Sequence, residues 1–510
     1  MAAKISRTPP ILHPLLFALY PILALLAFNI EETHLTTVVR PIGISIFGCI
    51  LSLILFRMIT KNWLRAGIIT SILLIWFYSY GHIYNYIEGI SLYSFTIGRH
   101  RFLALLWLSL GGISIWWAGT RLRTLNTTTK LFNMIAIIVI MWPIAQLTLH
   151  SINTYKVEQE AANNLKHDFL DGRTTSLNQR NPDIYYIILD GYARDDILAK
   201  HYGFDNSPFL EQLEEMGFYV ARCSQSNYAQ TQLSLASSLN FDYLDNIDDR
   251  YAAGNKSRLG LSQLIRDNAT RELLKSIGYA VIAFDSGYEP TRLKDADLYL
   301  SSGFASDIND FEDLLIRTTL GRIFTEGIAF LNLPPDWEAR DQDHRERILF
   351  TLEQLNTLPE VEGPKFVFVH LIIPHWPHVF GPDGQPVHEN PDSVSGYRDQ
   401  VQFINTQITP IIDKLLAESE QTPIIIIQGD HGSIIESPKQ RMGILNAYKF
   451  PESLKDDLYP SLSPVNTFRM VFYYLLGSQY ELLEDNAFYS SYDDPYEYQI
   501  IPNGRSDCEP

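Results

Sequence analysis

The stretch PIIIIQGDHG, residues 423–432, decides the fold that we predict for this chain. Four consecutive isoleucines are typical of a strand that is buried on both faces, as in the interior of a parallel sheet. Asp430 and His431 follow this strand, and ligand sites in open α/β sheets lie beyond the carboxyl ends of the strands. A carboxylate beside an imidazole suits a divalent metal. The alternative is a turn in which both side chains are solvated.

A second predicted strand of the same kind, DIYYIILDG at 183–191, ends in Asp190. This carboxylate could instead cap the next helix. Because the carboxyl ends of parallel strands meet at one edge of a sheet, Asp190 and Asp430 are expected to converge. Two converging carboxylates indicate a metal site more strongly than either carboxylate does alone.

Thr231 lies at the start of a predicted helix over 231–239. The positive end of a helix stabilises an alkoxide, which would suit a nucleophile. The alternative is that Thr231 only caps the helix, and on these residues alone that structural role is favoured.

Three histidines lie within nine residues around the end of a predicted strand over 365–373: His370, His375 and His378. Such a cluster can bind a metal, donate protons or hold an anion opposite a leaving group. A single histidine would more often be structural, whereas the cluster favours function, including a second metal or anion site at His370 and His378.

Strands alternate with helical segments from residue 183 onwards, which predicts an α/β domain with a mostly parallel sheet covered by helices on both faces. Helices are predicted over 207–216, 231–239, 261–277, 311–355 and 394–419, and a further strand at AVIAF, residues 280–284.

The first 150 residues contain five apolar stretches long enough to cross a bilayer, which predicts a transmembrane helical bundle. They cover approximately 11–30, 38–56, 66–87, 102–118 and 131–149. A cleaved signal peptide is a poor alternative for the first stretch because four more follow. A transporter is also a poor alternative, since the stretches contain almost no charged residues to line a pathway.

Basic residues predict the orientation of this bundle. Eight Lys and Arg flank the side of the predicted spans that carries the N-terminus, and four flank the other side. This places the N-terminus in the cytoplasm, and five spans then place the rest of the chain outside the cell membrane.

Charge divides the chain sharply: the first 150 residues hold 11 of its 40 Lys and Arg but only 3 of its 58 Asp and Glu. The acidic remainder excludes nucleic acid as a partner, because phosphates require a basic surface. Cys49 lies in a predicted span, so at most one disulfide, between Cys223 and Cys508, can form in the outer part.

The predicted domains are therefore a transmembrane domain at 1–150, a polar linker at 151–182, a catalytic domain at 183–484, and an acidic, Tyr-rich C-terminal tail at 485–510.

Taken together, Asp190, Thr231, the PHWP sequence at 374–377 and the GDHG sequence at 429–432 occur in the order seen in the alkaline phosphatase superfamily. The chain most resembles its sulfatase-like membrane branch, the lipoteichoic acid synthases and phosphoethanolamine transferases, in which about five spans precede an outer catalytic domain. The resemblance implies that Asp190, Thr231, Asp430 and His431 hold the metal. It also implies that Thr231 is the nucleophile and that His375 faces the phosphoryl group.

The function implied by this resemblance is metal-dependent transfer of a phospho-alcohol from a membrane lipid to a surface glycan or lipid, through a phospho-threonine intermediate. Mn²⁺ or Zn²⁺ fits three oxygen ligands and one imidazole. A hydrolase or phosphodiesterase on the same scaffold is the alternative. A non-catalytic membrane scaffold is a second alternative, which the presence of all four proposed ligands argues against.

Two departures from the family pattern narrow these expectations. Cys223 is followed by Ser-Gln-Ser-Asn, so the Cys-x-Pro-x-Arg sequence of formylglycine sulfatases is absent, and sulfate-ester hydrolysis by that mechanism is not expected. Gly191 stands where many two-metal members have a second Asp, which favours one principal metal.

Overall fold

The structure is a computed structural model that describes residues 8–30, 33, 35–87, 91–92, 95–96, 100–164, 181–303, 310–325, 336–389, 393–433, 437–477, 480–505 and 508. Its helices are α1 His13–Phe28, α2 Val39–Thr60, α3 Trp63–Ile87, α4 His100–Thr120, α5 Leu125–Asn164, α6 Asp195–Tyr202, α7 Ser207–Glu215, α8 Thr231–Leu239, α9 Leu244–Ile247, α10 Leu259–Arg266, α11 Ala269–Ser276, α12 Asp310–Thr318, α13 Arg322–Thr325, α14 Asp336–Leu355, α15 Val394–Glu418, α16 Pro438–Met442 and α17 Pro464–Leu476.

The strands are β1 Ser91–Leu92, β2 Phe95–Thr96, β3 Ile184–Leu189, β4 Tyr219–Val220, β5 Ala280–Phe284, β6 Leu298–Leu300, β7 Lys365–Leu371, β8 His378–Phe380, β9 Pro386–Glu389, β10 Ile424–Gln428, β11 Asn446–Lys449, β12 Phe488–Tyr489 and β13 Gln499–Ile500. The chain forms two compact units, one of Met1–Leu165 with Ser306–Arg340 and one of Lys166–Ala305 with Asp341–Pro510.

The first unit is a bundle of apolar helices. Within the described residues, four segments are long and apolar enough to cross a membrane: Val39–Thr60, Trp63–Ile87, Leu103–Thr120 and Leu125–Leu149. Helix α1 is apolar but has only 16 residues, so the predicted count of five spans stays a prediction. Many large apolar side chains of the bundle are exposed, as expected where lipid rather than water is the solvent. The chain is a membrane protein.

Two features of the first unit differ from the predicted domain boundaries. Helix α5 continues to Asn164, into the segment predicted as a linker, of which 165–180 lie outside the described residues. The segment Ser306–Arg340 groups with the helical bundle rather than with the sheet, and Glu312 on α12 forms an ion pair with Arg40.

The second unit is built on a seven-stranded sheet with the order β4-β11-β10-β3-β7-β5-β6. Strands β10, β3, β7, β5 and β6 pair in parallel, whereas β11 is antiparallel to both of its neighbours. The prediction of a mostly parallel sheet is therefore confirmed. The antiparallel strand β11 was not predicted, because four residues carry too little periodic pattern to indicate a strand.

The two faces of this sheet are covered by separate apolar cores. Along β3, Ile184, Tyr186 and Ile188 enter one core, and Tyr185 and Ile187 enter the other. All five side chains are fully buried, which is what a continuous apolar strand inside a parallel sheet requires. Burial on both faces fixes where β3, β7 and β10 end, and so fixes the positions of the polar residues that follow them.

The C-terminal tail packs on the second unit. A disulfide joins Cys223 to Cys508, 285 residues apart in sequence. Close to it, Asn503 Nδ2 donates to the Cys223 carbonyl at 2.7 Å, and Arg505 Nη1 donates to Asp195 Oδ1 at 2.7 Å. The segment predicted as a separate tail is thus tied to the same unit as the sheet.

Candidate functional site

Asp190, Asp430 and His431 meet at the carboxyl edge of the sheet. They follow the paired parallel strands β3 and β10, and all three are buried. His431 Nε2 lies 3.7 Å from Asp190 Oδ1 and 3.5 Å from Asp430 Oδ2. One ligand atom from each residue lies within 4.8 Å of the other two. The predicted convergence of the two carboxylates is present in the structure.

The hydrogen bonds around this group leave its electron-rich atoms facing one another. His431 Nδ1 donates to the Gly432 carbonyl at 2.8 Å, so Nε2 carries the lone pair. The Gly191 N–H donates to Asp430 Oδ1 at 2.9 Å, which orients that carboxylate. Asp190 Oδ1 and Asp430 Oδ2 are buried and accept no hydrogen bond from the described residues.

Two carboxylate oxygens and an imidazole lone pair packed together in this way require a cation between them. A divalent metal fits this donor set, and both Mn²⁺ and Zn²⁺ accept oxygen and imidazole ligands. Gly191, at φ +73°, contributes its backbone N–H here, and the number of metal ions stays a prediction.

The electrostatics keep both kinds of side chain in the form that binds a metal. Burial alone would raise the pKa of Asp190, but the neighbouring imidazoles, His375 foremost, hold that pKa below its ordinary value. Burial, followed by the charge of Arg441, lowers the pKa of His431 against the opposing effect of Asp430 and Asp190. The carboxylate is therefore ionised and the imidazole neutral near pH 7.

Thr231 lies beside this group. It is the first residue of α8, its Oγ1 lies 3.2 Å from His431 Nε2, and its side chain is partly exposed. The N-cap residue of α8 is Gln230, so Thr231 is not the helix cap that the alternative interpretation supposed. The Gln230 side chain makes no capping hydrogen bond to the helix, and a helix N-terminus of this kind can bind an anion.

The three clustered histidines occupy three different environments. His370 Nε2 lies 3.3 Å from Asp190 Oδ2, and its Nδ1 is held by Thr291 Oγ1 at 2.9 Å. The His375 N–H donates to the Asp190 carbonyl at 3.0 Å, and its ring centroid is 6.0 Å from that of His431. His370 and His375 therefore both belong to the Asp190 site.

His378 is buried, and its ring packs at a right angle to that of Tyr397, with centroids 6.4 Å apart. Among the described residues, the group of side chains close enough to share a metal includes neither His370 nor His378. A second site formed by these two histidines stays a prediction.

Arg441 is a site residue that the sequence reasoning missed. Its Nη2 lies 3.2 Å from His431 Nε2, and its Nε donates to the Ala229 carbonyl at 2.8 Å. Arg441 lies on the short helix α16, ten residues after His431, and the sequence between them has no periodic pattern. The only signal in the sequence was a cation close to Asp430 and His431.

The C-terminal tail also reaches the site, through the residue before Thr231. Gln230 Nε2 donates to the Ser491 carbonyl at 3.1 Å, and Gln230 Oε1 accepts from Arg258 Nη2 at 2.6 Å. Arg258 Nη2 also donates to the Tyr492 carbonyl at 2.9 Å, and Arg258 Cζ lies 4.3 Å from the centroid of the Tyr492 ring. The start of α8 is thus clamped by the tail.

Cys223 is bonded to Cys508 and lies outside this constellation, so its sulfur is not free to act as a nucleophile. This agrees with the absence of the formylglycine sequence around Cys223.

Several solved structures are similar in fold. The C-terminal periplasmic domain of EcEptC from Escherichia coli is 12% identical, with 65% of this chain and 94% of that chain covered and a TM-score of 0.41. The lipooligosaccharide phosphoethanolamine transferase EptA from Neisseria meningitidis is 11% identical, with 92% and 96% covered and a TM-score of 0.38. The lipoteichoic acid synthase LtaP from Listeria monocytogenes is 13% identical, with 62% and 81% covered and a TM-score of 0.38.

These identities and TM-scores are too low to transfer a substrate or an activity to this chain. Comparison with curated proteins gave no significant match. The family model described as Sulfatase matches residues 182–468, which is more than half of the chain and includes Asp190, Thr231, Asp430 and His431. The protein is therefore a member of the sulfatase family, a sulfatase-like enzyme that also carries apolar helices long enough to cross a membrane.

Proposed function

We propose that this enzyme transfers a phospho-alcohol headgroup from a membrane phospholipid to a hydroxyl of a surface glycan or lipid, through a phospho-threonine at Thr231. The observation that carries the proposal is the contact of 3.2 Å between Thr231 Oγ1 and His431 Nε2, beside two unpaired carboxylate oxygens. A hydroxyl placed against a cation site at a helix N-terminus is suited to nucleophilic attack on phosphorus.

Asp190, Asp430, His431 and Thr231 would hold the divalent metal in this proposal. When bound, the metal supplies Lewis-acid chemistry, lowering the pKa of a hydroxyl and offsetting negative charge on a phosphoryl group. The free N–H groups at the start of α8 bind nonbridging phosphoryl oxygens.

His375 is the proton donor for the leaving group. Its Nδ1 donates to the Trp376 carbonyl at 2.7 Å, which leaves Nε2 to exchange a proton. His375 is only partly buried, and its ring centroid lies 6.0 Å from that of His431.

The reaction balances in two steps. Thr231 Oγ forms a bond to phosphorus as the bond between phosphorus and the diacylglycerol oxygen breaks. The threonine proton leaves to water, and the departing oxygen takes a proton from His375. The oxygen of an acceptor hydroxyl then attacks phosphorus and forms the new phosphodiester as the bond between phosphorus and Thr231 Oγ breaks. The acceptor's proton passes to His375, and Thr231 Oγ takes a proton from water, which restores both residues.

The second unit is proposed to lie on the outer side of the cell membrane. The Cys223–Cys508 disulfide supports this, because disulfides persist in oxidising compartments and are rare in the cytosol. The excess of Lys and Arg on the N-terminal side of the predicted spans supports a cytoplasmic N-terminus.

The proposal is tested by intact-mass spectrometry of the full-length protein after incubation with Mn²⁺ and either phosphatidylethanolamine or phosphatidylglycerol. The unchanged protein should gain the mass of one phosphorylated headgroup, and Thr231→Val should not. Thr406→Val is the matched control, because Thr406 is exposed on α15 and its hydroxyl bonds only to a backbone carbonyl of its own helix.

The other outcomes assign the alternative functions. Release of the free headgroup phosphate without an acceptor product would identify a hydrolase on the same scaffold. An unchanged mass with every donor, combined with no metal binding, would indicate a non-catalytic membrane scaffold and overturn the proposal.

A further inference from the structure

Backbone carbonyls hold two of the Arg441 guanidinium nitrogens, and the third nitrogen approaches His431. Arg441 Nε donates to the Ala229 carbonyl at 2.8 Å, and Arg441 Nη1 to the Gly432 carbonyl at 3.4 Å. These two carbonyls lie on the loop that precedes Thr231 and on the loop that follows β10. The remaining donor, Nη2, lies 3.2 Å from His431 Nε2.

Two donors compete for one lone pair on His431. Because Nδ1 donates to the Gly432 carbonyl, Nε2 is the acceptor, and both Arg441 Nη2 and Thr231 Oγ1 lie 3.2 Å from it. An imidazole nitrogen has a single lone pair, so it cannot bind a metal and accept a hydrogen bond at once. The hydrogen bond from Arg441 to His431 and a metal on His431 therefore exclude one another.

We propose that Arg441 is a catalytic residue whose Nη2 leaves His431 when the metal binds and then binds a nonbridging oxygen of the donor's phosphoryl group. The inference rests on the proposed function of Thr231 as nucleophile. Thr231 Oγ1 and Arg441 Nη2 approach the same nitrogen atom, so a phosphoryl group in contact with Thr231 has its oxygens within reach of the guanidinium.

The chemistry of the two partners supports this exchange. A guanidinium forms strong, directional, charge-assisted hydrogen bonds to phosphate oxygens. The bond from Arg441 Nε to the Ala229 carbonyl does not involve His431, so it holds the guanidinium in place after the bond to His431 is lost. The Gly432 carbonyl accepts from both Arg441 Nη1 and His431 Nδ1, and neither of these bonds uses His431 Nε2. The metal and the phosphoryl donor then bind in order, because the anion site is complete only once Arg441 has been released.

The competing explanation is that Arg441 only holds the two loops together. Metal and anion binding separate the two explanations without any need for turnover. The full-length protein in detergent is freed of metal with a chelator and titrated calorimetrically, first with Mn²⁺ alone and then with inorganic phosphate. The variants are Arg441→Gln, Arg441→Lys and, as a control, Arg222→Gln, whose guanidinium is partly exposed and pairs with Glu214.

For Arg441→Gln we expect Mn²⁺ to bind as tightly as before or up to about tenfold more tightly, because a competing donor and a like charge are removed. Phosphate should bind the Mn²⁺-loaded variant about 10- to 100-fold more weakly. The phosphate affinity of Arg441→Lys should be intermediate, since lysine keeps the positive charge but lacks the planar guanidinium that donates two hydrogen bonds to a phosphate. Arg222→Gln should match the unchanged protein in both titrations.

An unchanged phosphate affinity in Arg441→Gln would overturn the proposal. A parallel loss of Mn²⁺ and phosphate affinity would also overturn it, because Arg441 would then act only by holding His431 in place. Thr231→Val is measured in the same titrations. If Thr231 is not the nucleophile, headgroup transfer tests fail while the Arg441 results still stand, so the two failures are distinguishable.

Discussion

Strands β3 and β7 lie side by side and carry a charged pair at each end, and the two pairs are built differently. At the amino end, Asp183 Oδ2 and Lys365 Nζ lie 2.7 Å apart, and Lys365 Nζ also donates to the Val361 carbonyl at 2.9 Å. At the carboxyl end, Asp190 and His370 approach to 3.3 Å, yet Asp190 Oδ1 and His370 Nε2 have no hydrogen-bond partner among the described residues.

The difference shows which end of the sheet stabilises the fold and which end requires a ligand. Burial raises the pKa of Asp183 despite its contact with Lys365, so even this well-formed ion pair recovers only part of the cost of leaving water. At the carboxyl end, Oδ2 of the second carboxylate, Asp430, accepts no hydrogen bond from the part of the chain that the structure describes. We expect a bound cation to supply the missing interaction for this oxygen.

Breaking the amino-end pair should have the largest effect on stability. Lys365→Met leaves the carboxylate of Asp183 buried without its cation, and we expect a loss of about 3–5 kcal/mol in the free energy of unfolding. Denaturant titration of the metal-free protein measures this. The double variant Lys365→Met with Asp183→Asn should regain most of the lost stability. The Mn²⁺ affinity should be unchanged in both the single and the double variant. A metal affinity that changed with Lys365→Met would show that the two ends are not independent.

Breaking the carboxyl end should give the opposite result. Asp430→Asn should weaken Mn²⁺ binding by at least about 100-fold, since even outer-sphere partners of a metal contribute 10- to 100-fold. The metal-free protein should be as stable as before or more stable, because Asp430 Oδ2 is a buried carboxylate oxygen that accepts no hydrogen bond from the described residues. Calorimetric Mn²⁺ titration and thermal unfolding of the metal-free protein measure the two effects. A clear fall in the melting temperature would refute the contrast between the ends.

The stability of the protein should fall with decreasing pH because of His344 on α14, which contacts the backbone just after the carboxyl end of β7. Its Nε2 donates to the Ile372 carbonyl at 3.0 Å, and burial first and Arg347 second lower its pKa to about 3. A histidine with a depressed folded-state pKa contributes stability that is complete above its unfolded pKa of about 6.5 and is lost as the pH falls below it.

Between pH 7 and pH 5 this loss should amount to about 2 kcal/mol in the free energy of unfolding. His344→Gln keeps a donor for the Ile372 carbonyl and should flatten the dependence. Denaturant titrations at both pH values provide the measurement. An equal slope in the variant would mean that other groups cause the acid sensitivity.

The smallest expected effect concerns the clamp at the start of α8. Gln230→Ala removes the bonds to Ser491 and Arg258 and loosens the placement of Thr231. We expect headgroup transfer to fall about tenfold through misplacement of the nucleophile, with Mn²⁺ affinity unchanged. Gln402→Ala, at an exposed position of α15, is the control. Loss of metal binding in Gln230→Ala would show that the clamp supports the ligands rather than Thr231.

The core of the site could be predicted because each of its residues follows a strong local pattern. Asp190 and Asp430 come directly after continuous apolar strands, and Thr231 begins a helix whose predicted bounds match the observed α8. Parallel pairing then brings the strand ends together, without any need to know the loops.

The remaining parts of the site depend on contacts between distant loops. Arg441 and the bonds from Gln230 to Ser491 and Arg258 join segments that no periodic pattern connects, so the sequence carried no signal for them. The two cysteines indicated that a disulfide was possible, but not that it would tie the tail to the loop before α8. The grouping of Ser306–Arg340 with the apolar helices likewise follows from tertiary contacts alone.

The contacts between the C-terminal tail and the start of α8 have a consequence for how the chain folds during synthesis. A ribosome makes Thr231 long before it makes Ser491, Tyr492 and Cys508, so the start of α8 waits for the last part of the chain before its clamp can close. A nascent or prematurely terminated chain therefore lacks the contacts that hold Gln230, the residue before Thr231. A chain that ends before Ser491 keeps the sequence of the site but not the bonds that fix the start of α8.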